Sequence, residues 1–173
     1  MTALSDAASL VSEHFACYRQ RSPWSFCWRI AIESVVVSLT AALVVVLALP
    51  MELETSRALE DLPYFQFFLL GVVIAPIVET LLFQALPVAV MRLFKAGFPW
   101  QVFAPTVLFA AAHFTEGIAV GVGAGLVGGF YFAFTYVHWR ERSRWTALWT
   151  TTVCHGIHNG IAILLLLPHW LLR

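Results

Sequence analysis

Residues 65–93 read FQFFLLGVVIAPIVETLLFQALPVAVMRL, and between Phe65 and Met91 the only ionisable side chain is Glu79. A run this long and apolar needs lipid around it, because about 20 apolar residues suffice to cross the hydrocarbon core of a bilayer. At the helical rise per residue Glu79 then stands near mid-membrane, about 20 Å from either end of the segment. An ionisable group at that depth costs about 3 kcal/mol or more unless it is paired or lines a wet cavity. One stretch therefore points both to a helical membrane fold and to the place where chemistry belongs.

The rest of the chain agrees. Of its 173 residues 60% are apolar and only 12% charged, with mean hydropathy +0.81, far from the averages of water-soluble domains. The composition predicts an all-α, polytopic transmembrane helical bundle, with room for four to six spans and no second domain. Ten basic residues balance ten acidic ones, and a net charge of zero offers nothing to attract nucleic acid. Cys17, Cys27 and Cys154 lack metal-type spacing and read as free thiols.

Hydropathy and helix breakers predict about five spans: Ile30 to Leu49, ended by Pro50; Phe65 to Leu93; Trp100 to Thr115; Ile118 to His138; and Trp145 to Leu167, ended by Pro168. Pro76 and Pro87 lie inside the second, where each can bend the helix and free carbonyl groups near Glu79. Residues 1–29 form a cytoplasmic segment. Asp6, Glu13 and His14 interrupt what a cleaved leader would need, and Leu4, Ala8, Val11, Phe15 and Tyr18 share one face suited to an interfacial helix. Residues 30–173 form a single transmembrane domain.

Basic residues flanking spans stay on the cytoplasmic side. Arg19, Arg21 and Arg29 precede the first span, Arg92 and Lys95 follow the second, and Arg140, Arg142 and Arg144 separate the last two, all on one side if five spans alternate. Glu52, Glu54, Glu60 and Asp61 make the first connection acidic and outward-facing. The amino terminus is thus placed inside and the carboxyl terminus outside.

Three further polar groups lie within apolar stretches: His113, His155 and Asn159. His155 is about 15 Å from Trp145 and His113 about 20 Å from Trp100, depths at which they can meet Glu79. Gly117, Gly121, Gly125 and Gly129 recur every fourth residue in the span before His155, which lets helix backbones approach closely. His158, turned about 100° from Asn159, reads as structural, and Glu33 as the partner of Arg29 four residues earlier.

Read in order, Pro76-Ile77-Val78-Glu79-Thr80-Leu81-Leu82-Phe83-Gln84, then Phe109-Ala110-Ala111-Ala112-His113, then His155-Gly156-Ile157-His158-Asn159 resemble the three motifs of the CPBP family of intramembrane endopeptidases, the group that includes CAAX-processing Rce1-type proteases and bacterial Abi proteins. The likeness covers residues 65–167, the protease-like core. The family's motifs read Glu-Glu-x-x-x-Arg, Phe-x-x-x-His and His-x-x-x-Asn, which match at Glu79, Phe109, His113, His155 and Asn159. Thr80 stands where the second Glu would be and Gln84 where the Arg would be. They are four residues apart and share a helix face. Replacing a charged pair by a neutral pair leaves no orphan charge.

The resemblance implies a glutamic peptidase without metal. A carboxylate out of water is a usable base near neutrality, and a nearby imidazole can share or orient the same water. By resemblance Glu79 and His113 activate water, His155 and Asn159 form the oxyanion site, and Phe109 supports His113. It also implies a membrane protein or lipidated peptide as substrate. Rce1-type relatives remove a tripeptide from prenylated CAAX tails, and bacterial members are linked with bacteriocin maturation, immunity or trimming of carboxyl-terminal sorting anchors. A multi-pass protein of a prokaryotic inner membrane follows.

Three alternatives stay open. One Glu and two His are also the first ligands of a catalytic zinc, although they lack the His-Glu-x-x-His spacing. A non-catalytic scaffold or bacteriocin-immunity factor would use the same polar cluster to hold a peptide. A small transporter would use it as a proton relay.

Overall fold

The computed structural model describes residues 16, 18, 22–49 and 62–171, with side chains to residue 165. Five helical runs account for almost all of this: α1 (Pro23–Ala48), α2 (Tyr64–Leu93), α3 (Phe98–His113), α4 (Ile118–Arg140) and α5 (Arg144–Leu171). The protein is all-α. Most of the proposed amphipathic segment, Cys17, Pro50 and the acidic connection lie outside the described residues.

Local sequence explains the ends. Ser22 caps α1, its hydroxyl accepting from the Ser25 amide at 3.4 Å, and Pro23 occupies the first turn, where a missing N–H costs nothing. A short 3-10 turn, Phe114–Glu116, follows α3 and gives way to Gly117 at φ 120°, a conformation that suits only glycine, so the chain reverses into α4. Pro168 does not end α5, which continues to Leu171, four residues past the expected end at Leu167, because a proline late in a helix removes one hydrogen bond without stopping the chain.

Among the described residues three helices, α1, α2 and α4, are long and apolar enough to cross a membrane, which makes this a multi-pass membrane protein. The expected count of about five exceeds the three found among the described residues. α3 has 16 residues, short of a full crossing, and α5 carries Thr150, Thr151, His155, His158 and Asn159 along its length. The residues that suggest a site are the ones that lower the hydropathy of α5.

α4 sits at the centre, packed by α1, α3 and α5, with 56% of its most apolar window buried against 11% for α2. Its glycines allow this. A Cβ on Gly125 would fall 2.9 Å from the Ala110 Cα and 3.0 Å from the His113 Cβ, so α3 lies nearly against the α4 backbone. An aromatic and aliphatic core of Phe26, Ile30, Tyr131, Val137, Trp139 and Cys154 joins α1, α4 and α5. Cys27 and Cys154 are both free and buried. The Glu33 carboxylate accepts from the hydroxyls of Tyr18 at 2.5 Å and Tyr131 at 2.7 Å, contacts that an Arg29 pairing did not anticipate.

At one end of the bundle Arg92 donates to Glu141 at 2.8 Å and to Gln101 at 3.4 Å. That joins the end of α2, the start of α3 and the turn between α4 and α5, so the basic clusters around Arg92 and Arg140 share an end.

Candidate active site

α2 is not a regular helix. Two π-helical segments, Leu70–Ile74 and Thr80–Ala85, each lead into a proline, Pro76 and Pro87. In the first segment the Ala75 amide bonds to the Leu70 carbonyl five residues back, and the next amide in that register would belong to Pro76, which has none. The Gly71 carbonyl is thus left without a backbone donor. Asn159 of α5 supplies one, its Nδ2 lying 2.8 Å from the Gly71 oxygen. Proline on one helix and asparagine on another thereby meet the same need.

About two turns beyond Gly71 along α2, Glu79 comes within 3.5 Å of His155, measured from Oε2 to Nε2. The Glu79 side chain is 26% exposed and His155 only 2%. The imidazole is held on both sides, stacked on Phe132 with centroids 4.0 Å apart and edge-on to Phe109 at 5.7 Å. Gly156 makes the approach feasible, since a Cβ there would sit 2.7 Å from the Val72 carbonyl oxygen.

His113 ends α3. Its Nδ1 lies 2.9 Å from the Phe109 carbonyl, which can only accept, so Nδ1 carries the hydrogen and Nε2 keeps its lone pair in the neutral ring. The ring leans on Phe109 at 4.3 Å. No His113 nitrogen comes within ion-pair distance of Glu79 among the described residues. The nearest imidazole to the carboxylate is that of His155.

Phe109 is 1% exposed and touches Phe83, Phe132, His113 and His155, so it is the spacer between the two imidazoles. Thr80 and Gln84 are both fully buried beside the site. His158 faces α1, where Ser34 gives its hydrogen to the Ala31 carbonyl and accepts from His158 Nδ1 at 2.7 Å. That contact ties α1 to α5 and leaves His158 out of the cluster.

Among the described residues no group of three or more His, Cys, Asp or Glu side chains is arranged to hold a metal ion. An apolar groove of about 460 Å³, lined by Val72, Ile77, Gly156, Gly160, Ile161 and Leu164 among others, runs along the α2–α5 seam behind the Glu79–His155 contact.

The sequence motifs brought Glu79, His155, Asn159 and Phe109 to one seam, with His113 at its edge. What they did not disclose were Phe132, Ser34 and the Gly71 carbonyl. Only the last left a signal, a proline five residues downstream of a glycine on an apolar helix.

No curated protein and no solved structure matches the chain at a significant level. A family model does: the type II CAAX prenyl endopeptidase Rce1-like model matches residues 61–161, which take in α2, α3, α4 and most of α5. That span is more than half of the 173 residues and contains Glu79, Phe109, His113, His155 and Asn159. The chain belongs to the Rce1-like family of type II CAAX prenyl endopeptidases, a membership that supports an intramembrane CAAX-type peptidase function on a membrane-associated or lipidated protein substrate.

Proposed function

We propose that the protein hydrolyses a peptide bond in or beside the bilayer, using Glu79 as the base and His113, His155 and Asn159 as its polar partners. The observation that carries this reading is the 3.5 Å approach of Glu79 to His155 across two helices, deep in an apolar bundle. Each group is placed by independent packing, which is costly to maintain without a use.

A water bound beside Glu79 loses its proton to the carboxylate as it attacks the scissile carbonyl. The lone pair on His113 Nε2 suits it to hold and orient that water. His155 faces the Glu79 carboxylate with Nε2, so that nitrogen carries a hydrogen, which is freed for the developing oxyanion once Glu79 has taken the proton of the attacking water. Asn159 has a second amide hydrogen for the same purpose, its first being engaged by Gly71. The groove behind the contact offers an apolar wall for the substrate chain.

In the bilayer, α3 and α5 complete five crossings, their polar groups covered by α1, α2 and α4. Residues 30–173 form one transmembrane domain, entered from a cytoplasmic amino-terminal segment. The small domain and outward-leaning site favour a carboxyl-terminal sorting or anchor tail as the segment cut.

Comparing the termini of membrane proteins in cells with and without the gene would find the substrate. Glu79→Gln should then lower turnover by about a hundredfold or more while the protein still folds. A Glu79→Gln protein that processes its substrate normally would overturn the reading. The departures at Thr80 and Gln84 support a second one, a non-catalytic scaffold or immunity factor of the same fold, which would keep its phenotype in that variant.

A further inference from the structure

A layer of buried polar atoms adjoins the Glu79–His155 contact and has no part in the chemistry above. Thr80 and Gln84 of α2 and Thr150 and Thr151 of α5 are all fully buried. The three threonine hydroxyls, both amide atoms of Gln84 and Nδ1 of His155 have no hydrogen-bond partner among the described residues.

The register of the seam brings these residues toward one level. Gly71 meets Asn159 and Glu79 meets His155, so α2 and α5 run antiparallel along the seam. Following the same register one more turn brings the Thr80–Gln84 face level with Thr150 and Thr151, where α5 still packs on the Thr80–Ala85 segment. Thr151 lies four residues before His155, on its face of α5.

Polar side chains buried away from lipid and from water are costly, and protein interiors meet that cost with bound water making about three hydrogen bonds. The imidazole sharpens the requirement. With the Nε2 hydrogen directed at Glu79, Nδ1 of His155 is an acceptor, and the rings it packs against, Phe109 and Phe132, offer it no donor. Asn and Gln amides, hydroxyls and water are the donors a membrane interior offers, and Gln84, Thr80 and Thr151 are the ones at hand.

We propose that Thr80, Gln84 and Thr151 hold buried water that donates to Nδ1 of His155 and so keeps its Nε2 hydrogen turned toward Glu79. Thr80 and Gln84 are then positioning residues. The family's charged pair at these two places is replaced here by neutral groups that hydrate the layer. The functional half rests on the proteolytic reading; the water site itself does not.

The sign of a stability change tests it. Thr80→Val keeps shape and removes the hydroxyl, and Gln84→Met nearly keeps volume. In a hydrated layer each lowers the thermal unfolding midpoint of the detergent-solubilised protein, by about 3 °C or more, and the double variant loses less than the two single losses combined. In a dry layer each removes an unpaired polar group, so midpoints rise and add; that result would overturn the proposal. Should the variants fail to fold, the unmodified protein decides: magnetisation transfer from water to the methyl groups of Thr80 and Thr151 is expected, and its absence overturns the site. Thr80→Ser should restore turnover lost in Thr80→Val; equal turnover in the two would remove the positioning role. Cleavage by a Glu79→Gln protein would remove only the proteolytic reading and leave the stability result standing.

Discussion

Asn159 on α5 donates to the Gly71 carbonyl on α2 at 2.8 Å, taking the place of the amide hydrogen that Pro76 lacks. The contact links a candidate catalytic side chain to the irregularity of the helix that carries Glu79. It also makes Asn159 a structural residue whatever its chemistry.

The two contributions separate in a double-mutant cycle. Asn159→Ala should lower turnover by about a hundredfold if it removes an oxyanion donor, and lower stability by about 1 kcal/mol by orphaning the Gly71 carbonyl. Pro76→Ala restores an amide for that carbonyl. In the Pro76→Ala background the stability cost of Asn159→Ala should shrink, measured by thermal unfolding in detergent, while the loss of turnover remains. Equal stability costs in both backgrounds would break the proline–asparagine link.

Two glycines of α5 should respond differently to the same added methyl. At Gly156 a Cβ would lie 2.7 Å from the Val72 carbonyl oxygen, which cannot swing aside, whereas at Gly160 the nearest atoms are Val72 methyls at 3.7 and 3.8 Å. Gly156→Ala is expected to cost about 1–3 kcal/mol by forcing α2 and α5 apart, and to lower turnover by separating Glu79 from His155. Gly160→Ala should leave both nearly unchanged. Parallel melting curves and initial rates of the two variants check this.

Zinc chemistry makes a distinct prediction. With a glutamic mechanism, chelators leave the rate of the purified protein unaltered and elemental analysis finds no stoichiometric zinc. Zinc at one atom per chain, with activity lost on chelation and regained on adding the metal, would replace that mechanism by the zinc-dependent one.

The Arg92–Glu141 ion pair at 2.8 Å joins two basic connections at one end of the bundle. If that end is cytoplasmic, a cysteine placed at Lys95 should react with an impermeant thiol reagent only in inside-out vesicles. A cysteine placed at Glu54 should react only from outside. The reverse pattern would invert the proposed orientation.

Much was legible along the chain because helix formation in lipid is local. The backbone must satisfy its own hydrogen bonds, so apolar runs located five helices, with α2 beginning at Tyr64 and α4 at Ile118 beside the expected Phe65 and Ile118, although α1 begins at Pro23 rather than the expected Ile30 and α5 runs through Pro168. Spacing likewise put Glu79, Phe109, His113, His155 and Asn159 in order. The count of crossings differed, three among the described residues against about five expected, since α3 has only 16 residues and α5 carries polar side chains along its length.

What remained hidden depends on which surfaces meet. Two imidazoles at comparable depth are equivalent in sequence, yet packing set His155 beside Glu79 and tied His113 Nδ1 to its own helix. His158 could equally have faced lipid; Ser34, 124 residues away, claimed it. By itself the sequence determined a helical membrane protein with one polar seam and the family it belongs to, because hydropathy and motif spacing are written residue by residue. Only the tertiary structure decided the partner of each polar group, because a hydrogen bond between helices requires two backbones to approach at a given rotation, and that rotation is set by glycines, prolines and rings on other segments.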